Sequence, residues 1–206
     1  MNMNYVYYIR DATQGDVEAQ FNLGECYRKG ECVEQNYSEA VRWLTSAAQQ
    51  GHLLAQCTLA TLYYNGTGVE QNYKRAVKWY VKAAAQHSCE AQFQLGRCYY
   101  YGEGVEQDYA NAVAWYRLAV EQGDARAQNN LGLCYSHGKG VQKNFTKAVN
   151  WYKHAAQQGN AKAQYNLGLC YENGEGVKQS YAQARNWYKK AAKQGYEQAK
   201  VRLSKI

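Results

Sequence analysis

"NLGLCYENGEGV", Asn166 to Val177, nearly repeats "NLGLCYSHGKGV", Asn130 to Val141, thirty-six residues earlier. The step is kept along the whole chain. Trp43, Trp79, Trp115, Trp151 and Trp187 are each 36 residues apart, as are Leu23, Leu59, Leu95, Leu131 and Leu167, and Tyr27, Tyr63, Tyr99, Tyr135 and Tyr171. Self-similarity at a fixed period of this length marks a repeat architecture. Five full units follow, at 15–50, 51–86, 87–122, 123–158 and 159–194. The flanks match half-units: Tyr7, Tyr8, Ala12 and Gln14 fit the end of a unit, Ala199 and Leu203 the beginning of one. The first and last units of a stack have one neighbour each, so a capping helix is expected in 1–14 and another in 195–206.

Each unit carries two helical stripes. In 159–194, Ala163, Leu167, Cys170 and Tyr171 fall at i, i+4, i+7 and i+8, and Tyr181, Ala184, Tyr188, Ala191 and Ala192 form a second stripe with Trp187 on its border. Between them, Gly174 reads as the left-handed exit from the first helix. Ser180 reads as the N-cap of the second, like Asn36, Asn72, Asp108 and Asn144. Gly51, Gly123, Gly159 and Gly195 follow the second helices, where a C-terminal glycine is expected. Gly24, Gly96, Gly132 and Gly168 sit inside first helices, where each costs roughly 0.8–1 kcal/mol relative to Ala. A repeated cost of that kind implies close approach of a partner helix, with Ala40, Ala76, Ala112, Ala148 and Ala184 as the expected counterparts. The fold class is therefore all-α: a right-handed α/α superhelix, or solenoid, of five 36-residue helix-turn-helix repeats with half-repeat caps, twelve helices in all.

Composition agrees. The 206 residues are 46% hydrophobic, with 21 Tyr and 5 Trp, enough to build a core, and without Pro the turns fall to Gly, Asn and Asp. No run of about 18 apolar residues could span a membrane, so no membrane insertion is expected. "MNMNYVYYIRDATQ" has no basic start, apolar stretch and cleavage site of a secretory signal. With Met1 as the natural start, the expected address is cytoplasmic. Seven Cys, an odd number, favour reduced thiols over a disulfide framework.

The unit "AQYNLGLCYENGEGVKQSYAQARNWYKKAAKQG" resembles a Sel1-like repeat, a longer relative of the tetratricopeptide repeat. The resemblance runs from Gly15 to about Leu203, through five copies of A-Q-x-x-L-G-x-x-Y-x-x-G-x-G-V followed by A-x-x-W-Y-x-x-A-A. Cys32 for the second loop Gly, Leu44 for Tyr, His87 for Gly, Val120 for Ala and Ala60 for the helix Gly are local departures. The resemblance implies an α/α superhelix whose first helices line a concave side. It also implies scaffold or adaptor work, in signalling, quality control of other proteins or bacterial contact with host cells, rather than catalysis.

Cys26, Cys98, Cys134 and Cys170 share one position on the buried stripe, which Leu62 takes in the second unit. A position that accepts Cys or Leu asks for apolar volume. Equivalent positions of packed helices lie ~8–10 Å apart or more, beyond the ~7 Å Cα separation a disulfide allows, so the native fold is expected to hold none. There is no C-x-x-C; Cys134 and His137 form a lone C-x-x-H, and His52, His87 and His154 occupy unrelated positions, short of a zinc site. No nucleophile, base and orienter stand out, so no cofactor, no metal and no enzymatic activity are expected.

Charge is uneven. Residues 1–122 carry 10 basic and 13 acidic side chains, residues 123–206 carry 14 and 4. Lys139, Lys143, Lys147, Lys153, Lys178, Arg185, Lys189, Lys190 and Lys193 read first as a solvated outer face, and alternatively as a site for an acidic partner or nucleic acid. RNA-reading repeats need base-reading side chains at fixed places, and the variable inner positions here form no such code, so nucleic acid is not the expected partner.

The strongest functional signal is a contrast between helix faces. Five positions per first helix lie opposite the core stripe, and ten of these 25 residues are apolar or aromatic: Phe21, Leu54, Cys57, Tyr64, Phe93, Tyr100, Tyr101, Leu133, Tyr165 and Leu169. On the outward face of the second helices the only apolar residues larger than Ala are Val81 and Leu118. An apolar lining on one face points to binding. The expectation is a monomeric module that grips a peptide or protein segment in its concave groove, with those aromatics and aliphatics for contact and Glu25, Arg97 and Asn129 for orientation. Only Arg97 and Asn129 could hold a terminal carboxylate, so an internal segment is the expected ligand.

Overall fold

The computed structural model describes residues 3–31 and 33–206, which form twelve α-helices and no strand. They divide into two compact units. Met1–Gln107 contains α1 (Met3–Thr13), α2 (Val17–Lys29), α3 (Tyr37–Gln49), α4 (Leu53–Asn65), α5 (Tyr73–Ala85) and α6 (Cys89–Tyr101). Asp108–Ile206 contains α7 (Tyr109–Glu121), α8 (Ala125–His137), α9 (Phe145–Gln157), α10 (Ala161–Asn173), α11 (Tyr181–Lys193) and α12 (Glu197–Leu203). In each unit every helix packs on its neighbour in the chain. Among the described residues no helix is long and apolar enough to cross a membrane.

Short polar residues set the helix boundaries. Asn36, Asn72, Asp108, Asn144 and Ser180 accept hydrogen bonds from backbone amides of the first turn, which would otherwise have no partner. The exit glycine, for example Gly174 at φ 74°, turns the chain out of the first helix and returns its N–H to the Cys170 carbonyl. The connection is then closed by the backbone of the next cap, as where Ser180 N donates to Tyr171 O at 2.9 Å.

The core follows the repeated columns. Leu23, Leu59, Leu95, Leu131 and Leu167 are at most 1% exposed, each worth roughly 1.5–3 kcal/mol of burial. Close approach at the helix glycines is real, but its counterpart differs from the expected alanines. A Cβ on Gly24 would meet Leu44 Cγ at 2.8 Å, and one on Gly132 would meet Tyr152 Cε1 at 2.6 Å. The large residue one turn further along the second helix fills the space against the glycine, and the alanines pack beside it. Ala60 keeps its Cβ and is fully buried.

A polar column, unnoticed in the sequence, runs through this core. Gln20, Gln56 and Gln164, each buried, donate to Ala12, Ala48 and Ala156 carbonyls at 3.1–3.2 Å. Each then accepts from the glutamine that ends the next second helix, Gln50, Gln86 and Gln194, at 2.8–2.9 Å. Gln158 donates to Gln128 in the same way. The "A-Q" of the motif thus ties consecutive helix pairs while leaving no buried amide unsatisfied.

The cysteine expectation fails at one position. Cys26 is disulfide-bonded, whereas Cys57, Cys89, Cys98, Cys134 and Cys170 carry free thiols. Inter-helix spacing separates cysteines in equivalent columns and does not govern pairings between different columns. Cys32 lies outside the described residues.

Candidate functional site

The first-helix positions read as outward prove to be of two kinds. In the column Phe21, Cys57, Phe93, Asn129, Tyr165, four members (Phe21, Cys57, Asn129 and Tyr165) face the next first helix rather than open solvent. Phe21 stacks on His52 with centroids 4.4 Å apart, Cys57 Sγ lies 3.3 Å from Ser88 Oγ, and Tyr165 packs on Tyr196 at 5.2 Å. His52, Ser88 and Tyr196 are the N-cap residues of the following first helices. This corrects the sequence reading at Phe93 and Asn129, which are 7% and 3% exposed. Helical phase alone assigns such a position to the far side of its own helix and does not show what covers it. Asn129 Oδ1 accepts from Asn166 at 2.9 Å, so it is not available as a clamp.

The remaining positions form the first-helix face, and several are tied locally. Glu25 accepts two bonds from Arg28, at 2.8 and 2.7 Å, and lies 3.7 Å from Lys29 Nζ. Arg97 donates to Gln94 at 3.0 Å and to the Tyr64 hydroxyl at 3.1 Å, with its guanidinium over the Tyr64 ring. Tyr64 in turn donates to Glu103 at 2.6 Å, and Tyr73 meets its ring edge-on at 5.1 Å. Burial, then the Glu103 carboxylate, push the Tyr64 hydroxyl pKa well up, so it stays a donor. Tyr100 meets Tyr101 edge-on at 4.9 Å, and Tyr101 and Leu54 are the exposed members of the apolar set, at 59% and 57%.

In Asp108–Ile206 the same face opens into a cavity of about 330 Å³, at the lower end of the ~300–1,000 Å³ of ligand sites. Leu133 and Leu169, both expected as site residues, line it together. The sequence reading missed Ser136, His137, Lys143, Phe145, Tyr152, Asn166, Asn173 and Glu175, which complete most of the wall. Ser136 explains the cavity: Arg28, Tyr64, Tyr100 and Glu172 fill its place in the other units. A lone small residue in a column of large ones was the available signal. Lys143 replaces the glutamines of the other loops, of which Gln71 donates to Tyr64 O and Gln179 to Glu172 O. Lys143 lies instead over the Phe145 ring at 4.7 Å.

Ser136 and His137 do not form a nucleophile and base. Ser136 Oγ donates its one proton to Leu133 O at 3.0 Å, while the Tyr152 hydroxyl and His137 Nδ1 surround the same oxygen at 3.2 and 2.9 Å. Burial pushes the Cys170 thiol up to about 12, with Glu175 adding to the shift, so the thiol at the cavity wall stays protonated. Among the described residues no three His, Cys, Asp or Glu side chains are grouped to hold a metal ion. The arrangement offers shape, apolar walls and a few polar groups, which suits binding.

Part of the basic surface has a packing role as well. Lys190 lies 4.0 Å from the Trp187 ring centroid, Lys82 4.4 Å from Trp79, and the Arg42 guanidinium 4.5 Å from Trp43. Three of the five half-buried tryptophans are thus covered by cations that stack their charge on the ring face.

These features define a helical-repeat scaffold of the solenoid class. The chain belongs to the Sel1 repeat family, whose model matches residues 17–52, 53–88, 89–124, 125–160 and 161–196, and whose members are in general protein–protein interaction scaffolds. It is similar to a protective antigen present in uropathogenic Escherichia coli strains that displays the same fold, with 38% identity and a TM-score of 0.90. That likeness covers 97% of this chain and 43% of the antigen, so the chain spans less than half of that relative. It is also similar to a Sel1 repeat protein from Oxalobacter formigenes, with 36% identity and a TM-score of 0.89, over 98% of this chain and 86% of the other. No curated protein matches the chain.

Proposed function

We propose that this chain binds a protein or peptide segment on the face made by its first helices, with the cavity between α8 and α10 as an anchor point. The cavity carries the reading: it joins Leu133 and Leu169 in one opening, and its polar groups sit at fixed places around apolar walls. An internal segment suits these residues better than a chain end, because Arg97 is engaged with Tyr64 and Asn129 with Asn166. A bacterial host-interaction role is supported by the likeness to the uropathogenic antigen, and the identity of the captured chains decides it.

Affinity purification with the intact protein, followed by identification of the bound chains, supplies the ligand. Leu169→Ala is then expected to weaken that ligand about tenfold, the size of a modest hot spot, with helix content unchanged. Lys189→Ala, on the exposed side of α11, is expected to leave affinity as it was. The opposite pattern places the site on the second helices and overturns the reading.

A further inference from the structure

The repeat supplies an internal template for what the cavity takes. Two repeats earlier, the place of Ser136 is held by Tyr64, whose hydroxyl donates to Glu103 and whose ring meets Tyr73 edge-on. The residues equivalent to Tyr73 and Glu103 are Phe145 and Glu175, and both line the cavity. Arg97 becomes Leu169, which exchanges a cation over the ring for an apolar wall. The surroundings of a tyrosine are therefore kept while the tyrosine itself is missing. Among the described residues no side chain hydrogen-bonds or ion-pairs with the Glu175 carboxylate.

We propose that the cavity receives a tyrosine side chain from the bound segment, its ring between Phe145, Leu133 and Leu169 and its phenol donating to Glu175. This rests on the reading of the first-helix face as a protein-binding surface and names the side chain it recognises. Phenylalanine would fill the apolar part but leave the carboxylate facing carbon. A phosphorylated tyrosine would bring its charge against Glu175, and a lysine would place an ammonium between leucines and beside Lys143.

The test uses the full chain with labelled leucine methyl groups, titrated with N-acetyl-tyrosinamide and, separately, with the phenylalanine and lysine counterparts. The tyrosine probe is expected to shift the Leu133 and Leu169 methyl signals, and to saturate them at about tenfold lower concentration than the phenylalanine probe, as one hydrogen bond to a charged acceptor provides. Glu175→Ala should erase that preference. Ser136→Tyr should supply the ring from within and abolish the shifts. Tighter binding of the lysine probe, no shift at Leu133 and Leu169, or unchanged binding to a folded Ser136→Tyr protein would each overturn the proposal. If the tyrosine probe fails while the purified partner is still lost on Leu169→Ala, the binding face stands and the tyrosine assignment alone falls.

Discussion

At Cys98, Cys134 and Cys170 burial withdraws the thiol from water and pushes its pKa up to about 12, 11 and 12. Thiolate, the reactive form, is then scarce at neutral pH. Cys57 and Cys89 are only partly buried, so alkylation of the folded protein by iodoacetamide should label these two first and the three buried thiols only on unfolding. Peptide mapping after a timed pulse checks the order. Without reductant the unfolded chain should yield the five free thiols, because Cys26 is bridged. An odd number of cysteines requires an unpaired thiol but does not forbid a bridge. Phe93 gives a second lesson at this scale: its burial makes it part of the packing, so loss of its ring would act on stability as well as on any ligand.

Between helices, the glutamine column is the connection that apolar periodicity does not reveal. Gln56 donates to Ala48 O, the carbonyl of a residue in the last turn of α3, and accepts from Gln86, which caps α5. Gln56→Leu strips a partner from both, and a buried group left without its hydrogen bond costs about 1–3 kcal/mol. The expected outcome is a loss of about 2 kcal/mol in denaturant unfolding, against less than ~0.5 kcal/mol for Gln49→Leu at an exposed site on α3. Loop glycines act at the same scale. A Cβ on Gly140, at φ 69°, would run into the backbone of Tyr109 at the start of the preceding second helix. The second loop glycine therefore lets consecutive repeats touch, a role distinct from the helix exit performed by the first.

Taken over the whole molecule, the buried thiols and Tyr80, whose hydroxyl burial lifts to about 12, bind their protons more tightly folded than unfolded. Their raised folded pKa values make their contribution full below the unfolded thiol value of about 8.5. It is lost as pH rises through about 11–12, because the unfolded chain releases protons first. The thermal midpoint should fall from about pH 9 upward. Leu62 occupies the cysteine column in the second repeat and is well buried, so the combined replacement of Cys98, Cys134 and Cys170 by Leu should flatten part of that decline. Thermal unfolding from pH 7 to pH 11 on both proteins measures it; equal slopes would show that the thiols are not the cause.

By itself the sequence determined the helical repeat, its 36-residue period, the caps and the apolar columns, because those follow from spacing and local backbone preference in one chain segment at a time. It also marked Leu133 and Leu169 as members of a face. Tertiary structure decided which outward positions are covered: Phe93 and Asn129 are both buried, and Asn129 is tied to Asn166 of the following repeat. It decided that Leu44 and Tyr152, rather than the alanines, fill the space against the helix glycines. The cavity belongs to the same class: it exists because Ser136 is too short to reach a carboxylate that Tyr64 reaches elsewhere, and the two ends of that missing contact, Ser136 and Glu175, lie on different repeats. A void is a relation between several side chains brought together by stacking, so no single residue announces it.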